Sequence, residues 1–176
     1  CNNYGFSFPP AKTILDGKKI CNESQLPYAD PSACVIPAAC NSNAAFEVER
    51  SLLVPASPSV PGSGFSSRNT KVYEAFLDLG YDVVIGMEVA GTGWHDDDEN
   101  GVIDVQIDPD GTPADSRGGH ALLVVGYDHV AGYFIIKNSW GSDWGRAGYG
   151  RFSYDYIQTY AVYGAMVVLE ASRKLV

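Results

Sequence analysis

Two neighbouring segments decide the fold: Gly118–Asp128, GGHALLVVGYD, and Tyr133–Gly141, YFIIKNSWG. His120 opens the first apolar run, and Asn138 closes the second. Two strands joined by a tight turn would bring these side chains together at one end of the pair. The asparagine amide oxygen can then orient the imidazole, which leaves the other ring nitrogen facing an acidic group such as a thiol. The pattern predicts a general base and its orienting partner.

None of the four cysteines has the setting of a nucleophile. Cys1 has the freedom of a chain end and is the one alternative, but the residues after it, NNYGFSFPP, do not begin a helix that would depress a thiol pKa. Cys21 follows an apolar residue, which favours a buried, inert thiol. Cys34 and Cys40 flank the sequence VIPAA and are near enough in sequence to close a small disulfide loop.

The second half of the chain predicts one helix followed by strands. Ser67 or Asn69 is expected to cap a helix that ends at Gly80. Further β-rich runs predict a meander that closes into a small antiparallel barrel, at 83–90, 121–127, 133–137, 149–154 and 162–169. Upstream, Phe46–Val54 alternates and predicts a strand within a region where prolines and small residues dominate.

These motifs resemble the papain family of cysteine peptidases. The resemblance rests on the sequences GHA, KNSWG and Ser142–Gly150, SDWGRAGYG, and extends more weakly to Lys18–Tyr28 and Thr70–Gly91. It implies an α+β, papain-like fold that is mainly the antiparallel β-barrel subdomain plus the end of the helical subdomain. The implied organisation is the end of the helical subdomain at 1–30, a Pro/Ser-rich insertion or strap at 31–66, and at 67–176 a helix plus the β-barrel subdomain that carries His and Asn.

The resemblance also implies a role for each motif residue. His120 would be the general base and Asn138 its orienter; a core histidine and a turn-capping asparagine are the alternatives. Trp140 would shield the Asn–His hydrogen bond from water. Trp144 is similar to the family's second tryptophan, on the leaving-group side of the site. Ordinary packing is the alternative for both tryptophans.

Small residues are expected to line the pocket for the substrate's second residue before the cut. By alignment Gly86 and Ala121 fall on its walls, and Gly119 lies beside them. Minimal side chains predict a roomy, uncharged pocket that favours a bulky apolar or aromatic residue. For Gly86, close backbone approach or a bulge is the alternative.

The family's Cys-Gly-Ser-Cys-Trp element and its oxyanion-hole glutamine do not occur in these 176 residues. The segment CNNYG at the start is similar to a later family segment, with Asn and Tyr in place of a substrate-binding double glycine. We therefore expect a cysteine peptidase whose nucleophile lies on a missing or separate N-terminal segment, so that this chain alone is inactive. As an alternative to a Cys34–Cys40 loop, the resemblance implies that Cys1 and Cys34 pair with cysteines on that segment, as their family counterparts do. The alternative function is an inactive pseudopeptidase that binds peptide or protein; an acyl transferase is a third.

An acidic stretch predicts a structural calcium site, although no cofactor is required for the chemistry. The ligands would stand at positions 1, 3, 5 and 9 of an EF-hand-type loop, at Asp96, Asp98, Asn100 and Asp104. Position 12, where a bidentate Glu belongs, is Ile107. A solvated acidic loop without metal is the alternative.

Composition and charge limit the classes of partner that the chain is expected to bind. A net charge of −9 argues against nucleic acid, and no apolar run is long enough to span a membrane. We expect a polypeptide substrate and a secreted or lysosome/vacuole-like compartment, because an acidic surface is common in peptidases that work at low pH or outside cells.

Overall fold

The computed structural model describes residues 12, 16, 19–20, 46–57, 62, 64–92, 94 and 101–170. The chain separates into two compact units, one formed by residues 1–52 and 168–176 and the other by Leu53–Val167. All four cysteines lie outside the described residues, so their disulfide pairing stays a prediction. The predicted domain boundaries at residues 30 and 66 likewise stay predictions. No helix within the described residues is both long and apolar enough to cross a membrane.

In the first unit, strand β1 (Lys19–Ile20) pairs antiparallel with β2 (Phe46–Val54), with Ile20 opposite Phe46. The predicted strand at 46–54 is therefore present with the same bounds. Ser51 of β2 is buried, and both its backbone N–H and its hydroxyl donate to Asp16 Oδ1. This single carboxylate therefore ties the chain before β1 to the middle of β2.

The second unit is built on an antiparallel meander. Its strands are β3 (Val83–Ala90), β4 (Ser116–Asp128), β5 (Tyr133–Lys137), β6 (Tyr149–Ser153) and β7 (Ala165–Glu170), the last of which continues into the first unit. They lie in the order β7-β3-β4-β5-β6, so β7 returns to the free edge of β3. The predicted runs thus lie on an antiparallel meander, whose closure into a barrel stays a prediction, and the α+β, papain-like prediction is confirmed.

Alternating side chains of the meander form the core of the second unit. Val83, Ile85 and Met87 of β3 are fully buried, as are Phe134 and Ile136 of β5. The period of two follows from the pleat, which sends alternate side chains to opposite faces. The site described below is therefore attached to a rigid, close-packed support.

Helix α1 (Thr70–Asp78) begins where the sequence predicts. Asn69 is its N-cap and accepts a hydrogen bond from Lys71 N at 3.1 Å. The helix ends before Gly80, whose φ of +84° suits glycine. Tyr73 faces inward, fully buried, and donates its hydroxyl to Ser67 O at 2.5 Å.

Helix α2 (Tyr154–Tyr160) was not predicted from the sequence. The β-rich run predicted at 149–154 ends one residue early, because Ser153, the last residue of β6, caps the helix by accepting from Tyr156 N at 3.0 Å. Aromatic residues favour strands by propensity, but burial of Tyr156, Ile157 and Tyr160 on one helix face outweighs that preference.

Candidate active site

The structure brings His120 and Asn138 into direct contact. His120 lies within β4 opposite Met87 of β3, and Asn138 follows the last residue of β5. His120 Nε2 lies 2.9 Å from Asn138 Oδ1. Asn138 Oδ1 also accepts from the backbone N–H of Ser139 at 2.7 Å, which fixes the orientation of the amide.

This contact defines the protonation of the imidazole. An amide oxygen only accepts hydrogen bonds, so Nε2 of His120 must carry the proton that it donates to Asn138. In the neutral ring Nδ1 then holds a free lone pair. No described residue forms a hydrogen bond to Nδ1. The arrangement can therefore take up a proton at Nδ1 while Asn138 holds the ring from the other side.

The two polar atoms of the Asn138 amide differ in their hydrogen bonding, because Oδ1 has partners and Nδ2 has none among the described residues. The residue is 8% exposed, and its Nδ2 is buried without a hydrogen-bond partner among the described residues. Such unpaired donors are uncommon and costly in folded proteins. The side chain is thus held in place by its oxygen rather than by its nitrogen.

Two indole rings contact the imidazole, and a third packs against them. The Trp140 ring lies 4.9 Å from the His120 ring at 39°, and the Trp94 ring lies 5.5 Å from it at 60°. Trp140 is 47% exposed, whereas Trp94 is 3% exposed. Trp144 packs edge-on against Trp140 at 5.9 Å and donates its Nε1 proton to Trp94 O at 3.0 Å. Trp144 thus contacts the other two tryptophans and anchors the backbone of Trp94.

Comparison with known proteins shows the family of the chain. The family model "Papain family cysteine protease" matches residues 1–168 of the chain. The chain belongs to the papain family of cysteine proteases.

The solved relatives support the fold of this family member. Xylellain, a cysteine protease from Xylella fastidiosa, is 21% identical with a TM-score of 0.61, over 93% of this chain and 61% of that one. A cysteine protease of Carica candamarcensis, solved in complex with E-64, is 21% identical with a TM-score of 0.56, over 94% and 69% of the two chains.

Matches to curated papain-family proteins are closer in sequence but shorter. Cysteine proteinase B of Leishmania mexicana is 33% identical over 110 residues, which is 53% of this chain and 24% of that protein. A cathepsin B-like protein, CP2, of Giardia intestinalis is 58% identical over 38 residues, which is 20% of this chain and 13% of that protein. The matched region therefore spans less than a quarter of the length of either relative.

The predicted pocket residues of this papain-family chain lie next to one another. Gly86 on β3 pairs directly with Ala121 on β4, and Gly119 pairs with Glu88 on the same face. Ala121 and Gly119 are exposed, whereas Gly86 is buried. The backbone segment before β7 exchanges two hydrogen bonds with Gly86, so close backbone approach also occurs there.

Tyr163 also borders this face, although no motif in the sequence indicated that it would. A Cβ placed on Gly119 would stand 2.8 Å from the Tyr163 ring, so the phenol occupies the space above that glycine. Tyr163 is 53% exposed. The small residues of β3 and β4 therefore do not leave an empty face, because an aromatic ring from the chain before β7 reaches over it.

The predicted calcium ligands are only partly described. Asp96, Asp98 and Asn100 lie outside the described residues, and the calcium site stays a prediction. Asp104 Oδ1 accepts from Ser153 Oγ at 2.5 Å and from Val105 N at 2.7 Å, so only its Oδ2 is free of these bonds. Within the described part of the chain, no cluster of three metal-ligating side chains occurs.

Proposed function

We propose that this chain carries the acid–base half of a cysteine peptidase, which hydrolyses peptide bonds through a Cys-His-Asn triad. His120 is the general base and acid, Asn138 orients it, and the nucleophile comes from an N-terminal segment that is missing here or separate. The observation that carries the proposal is the 2.9 Å contact between His120 Nε2 and Asn138 Oδ1, which leaves Nδ1 available. Membership of the papain family supports the same reaction class.

The chemistry follows from the position of the proton. Nδ1 of His120 accepts the proton of the cysteine thiol, and the resulting thiolate attacks the carbonyl carbon of the scissile peptide. Nδ1 then donates that proton to the leaving amine as the C–N bond breaks. Water, deprotonated by the same nitrogen, hydrolyses the thioester and frees the cysteine. Asn138 holds the ring through both transfers, and the indoles of Trp94 and Trp140 limit competition from water for the Nε2 proton.

The substrate is proposed to be a polypeptide whose second residue before the cut lies against Gly86, Gly119 and Ala121. The neighbouring Tyr163 ring supports an apolar or aromatic preference, because flat side chains pack well against a phenol face. The pocket would be narrower than small residues alone predict.

A secreted or lysosome/vacuole-like compartment is proposed. It is supported by the net charge of −9 and by relatives that include cathepsin B-like proteins and a digestive procathepsin from a larval midgut.

Active-site labelling tests the proposal. The natural protein, expressed from its whole gene, is incubated with a peptidyl epoxide and analysed by denaturing intact-mass spectrometry. The expected result is one inhibitor adduct on a cysteine N-terminal to this sequence or on a separate, smaller polypeptide. His120→Ala should slow labelling by about 10²-fold or more, since a general acid–base group contributes that much.

The same experiment distinguishes the alternatives. Labelling of Cys1 would replace the proposed nucleophile with one on this chain. A protein that is never labelled, with or without His120, would be a pseudopeptidase, and the proposed function would be wrong.

A further inference from the structure

Trp94 is the centre of the aromatic cluster behind the imidazole, but no strand or helix holds it. Trp94 itself belongs to neither a helix nor a strand. Its ring contacts the rings of His120 at 5.5 Å, Trp140 at 5.5 Å and Phe152 at 5.1 Å. The Trp94 ring packs against the imidazole of His120. It can restrict the orientation of the imidazole only if its own orientation is fixed by other contacts.

The hydroxyl of Tyr156 provides that fixation. Trp94 Nε1 donates to the Tyr156 hydroxyl at 2.7 Å, and the rings of the two residues lie 6.4 Å apart at 67°. The same hydroxyl accepts from Ala90 N at 3.1 Å and donates to Glu88 O at 3.0 Å. A phenol has one donor and two acceptor positions, and all three are used.

The hydroxyl is well suited to a permanent structural bond. Tyr156 is 2% exposed, and burial raises the pKa of its phenol, which keeps the proton that Glu88 O accepts. The bonds connect helix α2, the end of β3 and the side chain of Trp94. No other described side chain accepts from Trp94 Nε1.

We infer that Tyr156 is a positioning residue for His120: its hydroxyl holds the Trp94 ring against the imidazole and so maintains the bond from Nε2 to Asn138. Tyr156 touches neither His120 nor the reacting atoms; it acts through Trp94. The catalytic consequence rests on the proposed function, but the structural claim does not.

Hydrogen exchange of the His120 Nε2 proton tests this inference on the natural protein, expressed from its whole gene. The His120 signal in a ¹⁵N-labelled sample is assigned by its loss in His120→Ala. We expect Tyr156→Phe to speed exchange of this proton by about tenfold, because Trp94 and Ala90 each lose a buried hydrogen-bond acceptor.

Tyr160→Phe is the matched control. Tyr160 lies one turn further along α2 and is 4% exposed. Its ring lies 4.6 Å from the Tyr156 ring at 47°, and its hydroxyl donates to Ala114 O at 2.8 Å. Its replacement also removes a buried hydroxyl, yet Tyr160 forms neither a hydrogen bond nor a ring contact with Trp94. We expect this variant to leave exchange at His120 within about twofold of the wild type at matched unfolding free energy.

A double-mutant cycle with Trp94→Phe tests whether Tyr156 acts on His120 through Trp94. It also provides a second variant if Tyr156→Phe folds poorly. Trp94→Phe keeps an aromatic ring but removes the Nε1 donor, so it should also speed exchange, and adding Tyr156→Phe should have little further effect. Equal effects of Tyr156→Phe and Tyr160→Phe would overturn the inference, as would additive effects in the cycle. Because the readout needs no substrate, failure of the labelling experiment would leave this result interpretable.

Discussion

Replacing Glu74 by glutamine should remove the main acid-sensitive contact of the second unit. Glu74 lies on α1 with 9% of its surface exposed. Its carboxylate accepts from Lys71 at 2.8 Å, from the Tyr154 hydroxyl at 2.6 Å and from His129 Nδ1 at 3.0 Å. Burial raises the pKa of Glu74, but these hydrogen bonds outweigh it and lower the pKa to about 2. The ionised form is therefore the one that stabilises the fold.

The size of the effect follows from that pKa. The ordinary value is 4.5, and each unit of difference corresponds to about 1.4 kcal/mol, so ionised Glu74 stabilises the fold by about 3 kcal/mol. Because the folded-state pKa is the lower one, this contribution is complete above about pH 4.5 and is lost as the pH falls towards 2. We expect Glu74→Gln to lower the unfolding free energy by about 3 kcal/mol from pH 7 down to about pH 5, with a progressively smaller difference at pH 4 and pH 3.

Urea unfolding followed by tryptophan fluorescence at pH 7, 5, 4 and 3 measures this difference. Glu49→Gln is the control, because Glu49 is exposed on β2 and forms none of the ion pairs found among the described residues. It removes the same charge without removing these contacts. A Glu74→Gln penalty that stays constant from pH 7 to pH 3, or one no larger than that of Glu49→Gln, would refute the reasoning.

Three further substitutions test packing near the site. Gly145→Ala should lower the free energy of unfolding by about 2 kcal/mol or more, because Gly145 has a φ of +57° and a Cβ there would stand 2.3 Å from Tyr149 O. Calorimetry measures this, and an unchanged melting temperature would contradict it. Gly119→Ala should displace the Tyr163 ring and change the preferred substrate side chain in a peptide-library assay of the whole enzyme, at a stability cost below about 1 kcal/mol. Ser67→Ala should lower the free energy of unfolding, measured in urea, by about 1–2 kcal/mol, because the fully buried Ser67 hydroxyl donates at 2.6 Å to Ala161 O at the end of α2.

Local signals in the sequence predicted most of the second unit. The strands at 83–90 and 133–137 have the predicted bounds, because alternating apolar residues face one core. Of the two candidate caps, Asn69 rather than Ser67 begins α1, because the Ser67 hydroxyl is bonded to the end of α2. Helix α2 was missed because its aromatic residues indicate a strand until their common buried face is known.

The same distinction applies to the candidate site. His120 and Asn138 could be paired from the sequence because they lie on adjacent strands of one hairpin. Trp94 and Tyr163 could not, since each reaches the site from a different part of the chain and contacts it only after the second unit is assembled. Sequence patterns identify residues that are brought together by one local element, and they miss those whose proximity depends on tertiary packing.

The hairpin register determines the geometry of the proposed triad. Lys137 pairs with Leu123, and Val124 pairs with Ile136 in the core. Continued by one residue, this register places Asn138 opposite Leu122, two residues from His120 and on the same face, within reach of a diagonal contact. A slip by one residue would turn Asn138 to the opposite face and break the 2.9 Å contact. Because Val124 and Ile136 are both fully buried, a slip would also expose the core. The packing that stabilises the fold is therefore the same packing that holds the imidazole and the amide at bonding distance.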